Sequence, residues 1–394
     1  MDYMSVRQAA EKWGVSVRQV QVLLKNDRIK GALRFDNHAW MIPADAQKPG
    51  DPRLEKKQPP QKSLVSELFE IIEATTLPMP FAKPDAILDS IAEERVRLQY
   101  EGELAYLRGD FERTKNCFCR TEGDQAARLR TCPAVIAAAI STGDYPFYLE
   151  IENYLKNVIQ KSDQKNIIAF AEHCLSTAYV SAAAPNMSPE WLKKGDFRLL
   201  HSKAKPDAAY KRAKYFQCLG KFDSMLAVAE TALGFSDFSG GIFFNEIYLR
   251  ITCAAAYYAL GQEDEAICWL LSIMELALPH GFITPFTESA TAFGGLLEKI
   301  LKRSYPAYYD EITNQWKRTF INWRSFHNHF TKDNITLILS LRDYQIARLA
   351  ALGVPNKQIA EQFNMSLGRL KNKMSELYRE LLISNREELE KVIL

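Results

Sequence analysis

The sequence predicts a mainly α protein in three parts: a small winged helix-turn-helix head, an α-solenoid body and a C-terminal helix-turn-helix bundle. Three observations lead there. Apolar residues recur at three- and four-residue spacing through most of the 394 residues, with almost no strand alternation. The stretch from Ala44 to Ser63 has four prolines, mixed charge and almost nothing apolar, so it builds no core and sets off a head of about 50 residues. Near Thr331-Lys332-Asp333-Asn334, after an aromatic-rich tract, the pattern changes to short amphipathic helices with capping residues at their starts. The expected parts are 1–53 (head), 54–63 (linker), 64–332 (body) and 336–394 (tail).

In the head, Val6, Ala9, Ala10 and Trp13 share a helical face behind Ser5, a good N-cap. Gly14 suits a turn with positive φ. Ser16 caps a second helix with Val17, Val20, Leu23 and Leu24 turned inward. Small residues at a helix crossing with glycine in the turn fit a helix-turn-helix. Leu33-Arg34-Phe35 and Ala39 to Pro43, around the polar Asp36-Asn37-His38, read as a hairpin wing. Ser16, Arg18, Gln19 and Gln21 on the second helix are candidate contacts to base edges or phosphates, and Lys25, Arg34 and His38 to the backbone. The run from Ala9 to Val20, Asp27-Arg28-Ile29, Gly31-Ala32 and the Trp40-to-Arg53 segment together resemble small MerR/excisionase-like winged helix-turn-helix proteins, which implies a DNA-binding head.

In the body, three segments pair a helix with a glycine turn and a second helix: Gly102 to Phe111, Lys211 to Asp223, and Ala254 to Ala266. The last resembles a tetratricopeptide repeat, with Ala255 and Ala256 at the crossing, Tyr257 and Tyr258 as bulk, Leu260-Gly261 at the turn and Ala266 opening the partner helix. At about 34 residues per repeat, the body has room for six to eight helix pairs. A concave solenoid surface implies a peptide, protein or small-molecule effector. The segment Leu276 to Glu288 resembles the closing repeats of the MalT-like group of LuxR-type regulators. That group usually carries an ATPase module; no G-x-x-x-x-G-K-[ST] occurs here, so its ATP-driven switch is not carried over. Trp316, Trp323, Phe326, His327, His329 and Phe330 read as packing for the last body helix rather than as a metal site.

In the tail, Leu341, Ile346, Leu349 and Ala350 share a helical face that ends at Gly353. Asn356 is expected to cap a second helix with Ile359, Ala360 and Phe363 inward. Ser366 caps a third, whose Leu370, Met374, Leu377 and Leu381 form the buried side. Arg369, Lys371, Asn372, Lys373 and Glu376 lie on the other side, a basic cluster near a helix start that suits groove insertion. Leu339 to Asp343, Gly353 to Ser366, Leu370 to Lys373 and Ser384 to Glu388 resemble the LuxR-type helix-turn-helix. The resemblance implies that Lys357 contacts backbone, that Arg369, Lys371 and Lys373 contact phosphates or bases, and that Asn372 contacts a base; Ser366 at the helix start is a further candidate DNA contact. Arg369-Leu370, Lys373 and Leu382 depart from the usual residues, so the family's target preferences do not transfer.

Seven scattered cysteines read as buried reduced thiols, and no apolar run approaches the roughly 18 residues that span a bilayer. With no secretory signal at the start, the chain reads as cytoplasmic, without membrane attachment. No nucleophile–base pair, metal cluster or phosphate loop suggests an enzyme or a cofactor. The formal net charge of +2 divides into +3 over residues 1–53, −3 over the body and +2 over residues 335–394, so both ends are basic. The expected function is therefore a sequence-specific regulator of transcription on double-stranded DNA, acting as a homodimer, whose body senses an effector and sets the geometry of its terminal modules. The alternative is a protein-interaction scaffold in which one or both helix-turn-helix units contact protein.

Overall fold

A computed structural model describes residues 2–35, 39–49, 63–76, 83–236, 241–332, 339, 341–381 and 383–393. His38, most of the expected linker and Leu382 lie outside the described residues. The chain divides into two compact units, Met1–Lys62 and Ser63–Leu394.

The first unit joins two helices to a small sheet. Helices α1 (Val6–Trp13) and α2 (Val17–Lys25) each begin with a full capping box: Ser5 with Gln8, and Ser16 with Gln19. Two otherwise unpaired amide donors are thereby satisfied at each helix start. Gly14, at φ +60°, closes the turn between them. Strands β1 (Tyr3–Met4), β2 (Leu33–Phe35) and β3 (Ala39–Pro43) form an antiparallel sheet in the order β1-β3-β2. The wing was expected as a two-stranded hairpin; the third strand is Tyr3-Met4, too short to show alternation in the sequence. Ala9, Ala10, Val20, Leu24, Ile29 and Ile42 make the core. Val17 was expected inside but is 39% exposed, because it sits in the first turn of α2, beside the cap and away from α1.

The second unit is built mainly of helices among the described residues. Its body runs through α3 (Leu64–Ala74), α4 (Ala86–Ser90), α5 (Glu94–Leu107), α6 (Phe111–Cys119), α7 (Gln125–Thr142), α8 (Tyr145–Lys161), α9 (Lys165–Ser181), α10 (Glu190–Lys194), α11 (Lys205–Cys218), α12 (Phe222–Phe235), α13 (Phe244–Ala259), α14 (Glu263–Ala277), α15 (Thr284–Ser289), α16 (Leu296–Ser304) and α17 (Pro306–Thr331). The three glycine-turn segments form the helical hairpins α5–α6, α11–α12 and α13–α14. Ala255, Ala256 and Ala266 are buried at the crossing of α13 and α14. The hairpins do not form a uniform array of pairs: the short α4, α10 and α15 interrupt the stacking, with prolines at Pro185, Pro189 and Pro285. Of the seven cysteines, all unpaired, Cys119 and Cys268 are exposed, which corrects the expectation of buried thiols throughout. Each falls on the outer side of the second helix in its hairpin.

Helix α17, 26 residues long, crosses the ends of other helices and caps them. Asn322 Nδ2 donates to Ser141 O at 2.7 Å, Trp323 Nε1 to Ser181 O at 2.6 Å, and His327 Nδ1 lies 2.8 Å from Ala182 O. These carbonyls lie at the C-termini of α7 and α9, where intrahelical partners run out. The aromatic cluster is thus packing and capping, and His329 meets the Tyr145 hydroxyl.

The tail forms a second core on helices α18 (Leu341–Ala351), α19 (Asn356–Gln362), α20 (Leu367–Glu380) and α21 (Arg386–Ile393). Ile346, Leu349, Ala350, Ile359, Ala360, Phe363, Leu370, Met374, Leu377 and Leu381 are buried as expected. Asn356 does not cap α19. Pro355 holds that position, and the Asn356 side chain instead accepts from Arg386 Nη1 at 3.0 Å. Phe320 and Trp323 of α17 join the tail's core through Tyr344. Gly295, at φ +112°, brings the body's backbone against α19: a Cβ there would lie 2.9 Å from the Gln362 carbonyl oxygen.

Two outcomes follow for stability. Gly295→Ala combines a left-handed backbone with a clash against main chain, and should cost about 1–3 kcal/mol in urea unfolding. Buried His173 is held neutral, its pKa lowered from 6.5 to about 4 by burial and by Lys211. The unfolded imidazole takes up a proton near its ordinary value while the folded one does not, so acidification favours unfolding. Between pH 6.5 and about 4 this group should remove on the order of 3 kcal/mol, and His173→Gln should flatten that part of the pH–stability curve.

Candidate nucleic-acid interface

In the tail, Ser366 Oγ accepts from the Arg369 amide at 3.2 Å, fixing the start of α20. The apolar side of the helix locks it onto α18 and α19, which leaves Arg369, Lys371 and Asn372 exposed on the outer side. Lys357, in the first turn of α19, is exposed as well. The motif residues are therefore exposed, except Lys373, and Arg369 also borders a cleft with Gly294, Gly295 and Glu298 of the body. The Lys373 ammonium lies 2.9 Å from Asp343 Oδ1 and 3.4 Å from Glu376 Oε2, and only 28% of the side chain is exposed. Asp343 holds the Lys373 ammonium above the usual lysine range. Lys373 thus ties α20 to α18.

Two arginines complete the tail. Arg342 Nη2 donates to Phe363 O at 2.7 Å. Arg386 Nε donates to Ala350 O at 2.8 Å, and Nη2 to Val354 O. Between them these side chains satisfy carbonyls at the ends of α18 and α19. Both stand in the quoted motif, yet sequence reasoning gave them no role, because the carbonyls they satisfy lie 21 to 36 residues away.

In the head, Arg18, Gln21 and Lys25 are exposed along α2. Gln19 and Ser16, both candidates for DNA contact, are turned toward each other: Gln19 Oε1 accepts from the Ser16 amide at 2.9 Å. The capping box occupies that oxygen. Arg34 is exposed, with its guanidinium 5.7 Å from the centre of the Trp40 ring. The wing tip with His38 is outside the described residues.

The body holds a partly open cavity of about 100 Å³, with aromatic walls and three polar clusters. Arg130 Nη2 pairs with Glu103 at 2.9 Å. Lys211 Nζ pairs with Asp207 at 2.9 Å, and His173 Nε2 lies 2.9 Å from the same carboxylate. Burial opposes ionisation of Asp207, but Lys211 and His173 hold its carboxyl well below the usual range. Glu288 accepts from Tyr106 and, at 2.9 Å, from Tyr248, while burial raises its pKa. His173 Nδ1 and Thr177 Oγ1 are buried without partners. None of these residues stood out as a site in the sequence, because each is a single charge on an otherwise apolar helical face. Among the described residues no helix is long and apolar enough to cross a membrane.

No family model matches the chain, and no solved structure matches it. It is similar to the HTH-type transcriptional regulator MalT of Vibrio campbellii (strain ATCC BAA-1116), at 28% identity over 143 residues, 32% of this chain. The chain spans 16% of that protein's length. The likeness relates the chain to a transcription regulator and carries nothing finer.

Proposed function

We propose that this protein is a DNA-binding transcription regulator of the LuxR type. In this reading α20 enters the major groove of double-stranded DNA, and the body, built of tetratricopeptide-like hairpins, senses an effector. The observation that carries it is the face of α20: Arg369, Lys371 and Asn372 stand exposed in the first two turns while Leu370, Met374 and Leu377 are buried behind them. A helix held that way presents its N-terminal half to phosphates and base edges. Lys357 supports it from α19. The head would add a second, MerR-like contact through Arg18, Gln21, Lys25 and Arg34, with two-fold operators read by a homodimer in the cytoplasm. Ser16 and Gln19 act there as the cap that orients α2.

A gel shift of the full chain on fragments selected from genomic DNA tests the reading. Arg369→Ala and Lys371→Ala should each weaken binding about tenfold and reduce the salt slope by about one. Lys373→Ala should weaken it less and lower the melting temperature more, because it loosens α20 from Asp343. An affinity that is absent at about 50 mM salt, or unchanged in both Arg369→Ala and Lys371→Ala, overturns the regulator reading and favours the scaffold. Arg18→Ala with Gln21→Ala asks the same of the head: unchanged affinity and footprint would make it a protein-contact unit.

A further inference from the structure

A second cavity lies between body and tail, walled by α7, α9, α11, α15, α17 and α18. Two cations reach it: Lys214 from α11 and Arg348 from α18. Neither makes an ion pair or a hydrogen bond with a described residue. The neighbouring cavity is built differently, since Arg130 and Lys211 each have a carboxylate. Here burial, and with it the nearby Arg348, holds the Lys214 ammonium below the usual lysine range. One acid, Glu288, also borders the space, but its two oxygens are taken by the hydroxyls of Tyr106 and Tyr248, and burial raises its pKa. Trp316 Nε1 is a buried donor with no acceptor. Thr291 and Thr319 add hydroxyls, and the rings of Phe320 and Trp323 form one wall. Two cations that make no ion pair with a described residue and an unused donor, facing one partly enclosed space, suit an anionic ligand there.

We propose that this cavity binds a small molecule bearing an oxyanion, a carboxylate or a phosphate group, held between Lys214 and Arg348 with Trp316 Nε1 as a third donor. The rest of the ligand lies against Phe320 and Trp323. Lys214 belongs to the body and Arg348 to the first helix of the tail, so the ligand bridges the two and strengthens their docking. Binding stands independently of what the tail recognises; only its effect on DNA affinity rests on the reading above.

The test uses the full chain without DNA. Inorganic phosphate, succinate and adenosine monophosphate are titrated against sodium chloride at equal ionic strength, following melting temperature and tryptophan fluorescence. At least one oxyanion should raise the melting temperature and change the fluorescence saturably. The preferred probe distinguishes phosphate from carboxylate. Lys214→Met and Arg348→Met should each weaken that binding about tenfold or more, the loss expected for one charge-assisted hydrogen bond, while melting at or above wild type without ligand. Should either variant fail to fold, Trp316→Phe removes the N–H donor and keeps an aromatic ring, and should also weaken binding as read by melting temperature. Responses no greater than chloride for all three probes, or an unchanged affinity in the folded variants, would overturn the proposal.

Discussion

The second unit depends on what α17 does at the ends of α7 and α9. A helix terminus buried in a domain leaves carbonyls without partners, and each unpaired buried group costs about 1–3 kcal/mol. Asn322, Trp323 and His327 donate to, or lie within hydrogen-bond distance of, three such carbonyls from successive turns of one helix. That arrangement explains why α17 carries amides, indoles and imidazoles where a solenoid helix ordinarily carries leucine. It also explains how the body ends: the last helix crosses the stack instead of adding another hairpin.

The same helix connects the body to the tail. Trp323 caps α9 through its nitrogen and packs on Tyr344 of α18 through its ring. Phe320 counts in the tail's core although it belongs to the body's last helix. Gly295 adds a backbone-to-backbone approach beside Gln362. Two contacts of different kinds, aromatic stacking on Tyr344 and the main-chain approach at Gly295, therefore join the tail bundle to the body. The cavity with Lys214 and Arg348 lies in the same junction.

Much of this was legible in the residues. Capping signals at Ser5, Ser16 and Ser366 placed three helix starts correctly, because a cap is a local event read within four residues. The buried face Leu370, Met374, Leu377 and Leu381 followed from periodicity alone. What was not legible depended on distance in sequence. Strand β1 gained its identity only from pairing with Ile42 and Pro43. The ion pair of Lys373 with Asp343, thirty residues earlier, had no signal near Lys373 in the sequence. Asn356 resembled a cap until Arg386 took its side chain. The charged groups of the cavities were invisible for the same reason: a lysine on an apolar face has no partner in the sequence.

Helix α17 has a mechanical consequence. At about 1.5 Å per residue, its 26 residues form a rod of about 39 Å. Its fulcrum is the run of caps at Asn322, Trp323 and His327, toward the C-terminal end, and its far end begins at Pro306 beside α16. A tilt of about five degrees about that fulcrum shifts the start of the helix by about 2 Å while the capped end scarcely moves. The lever arm is unequal: a tilt about these caps displaces the Pro306 end more than the end beside the tail.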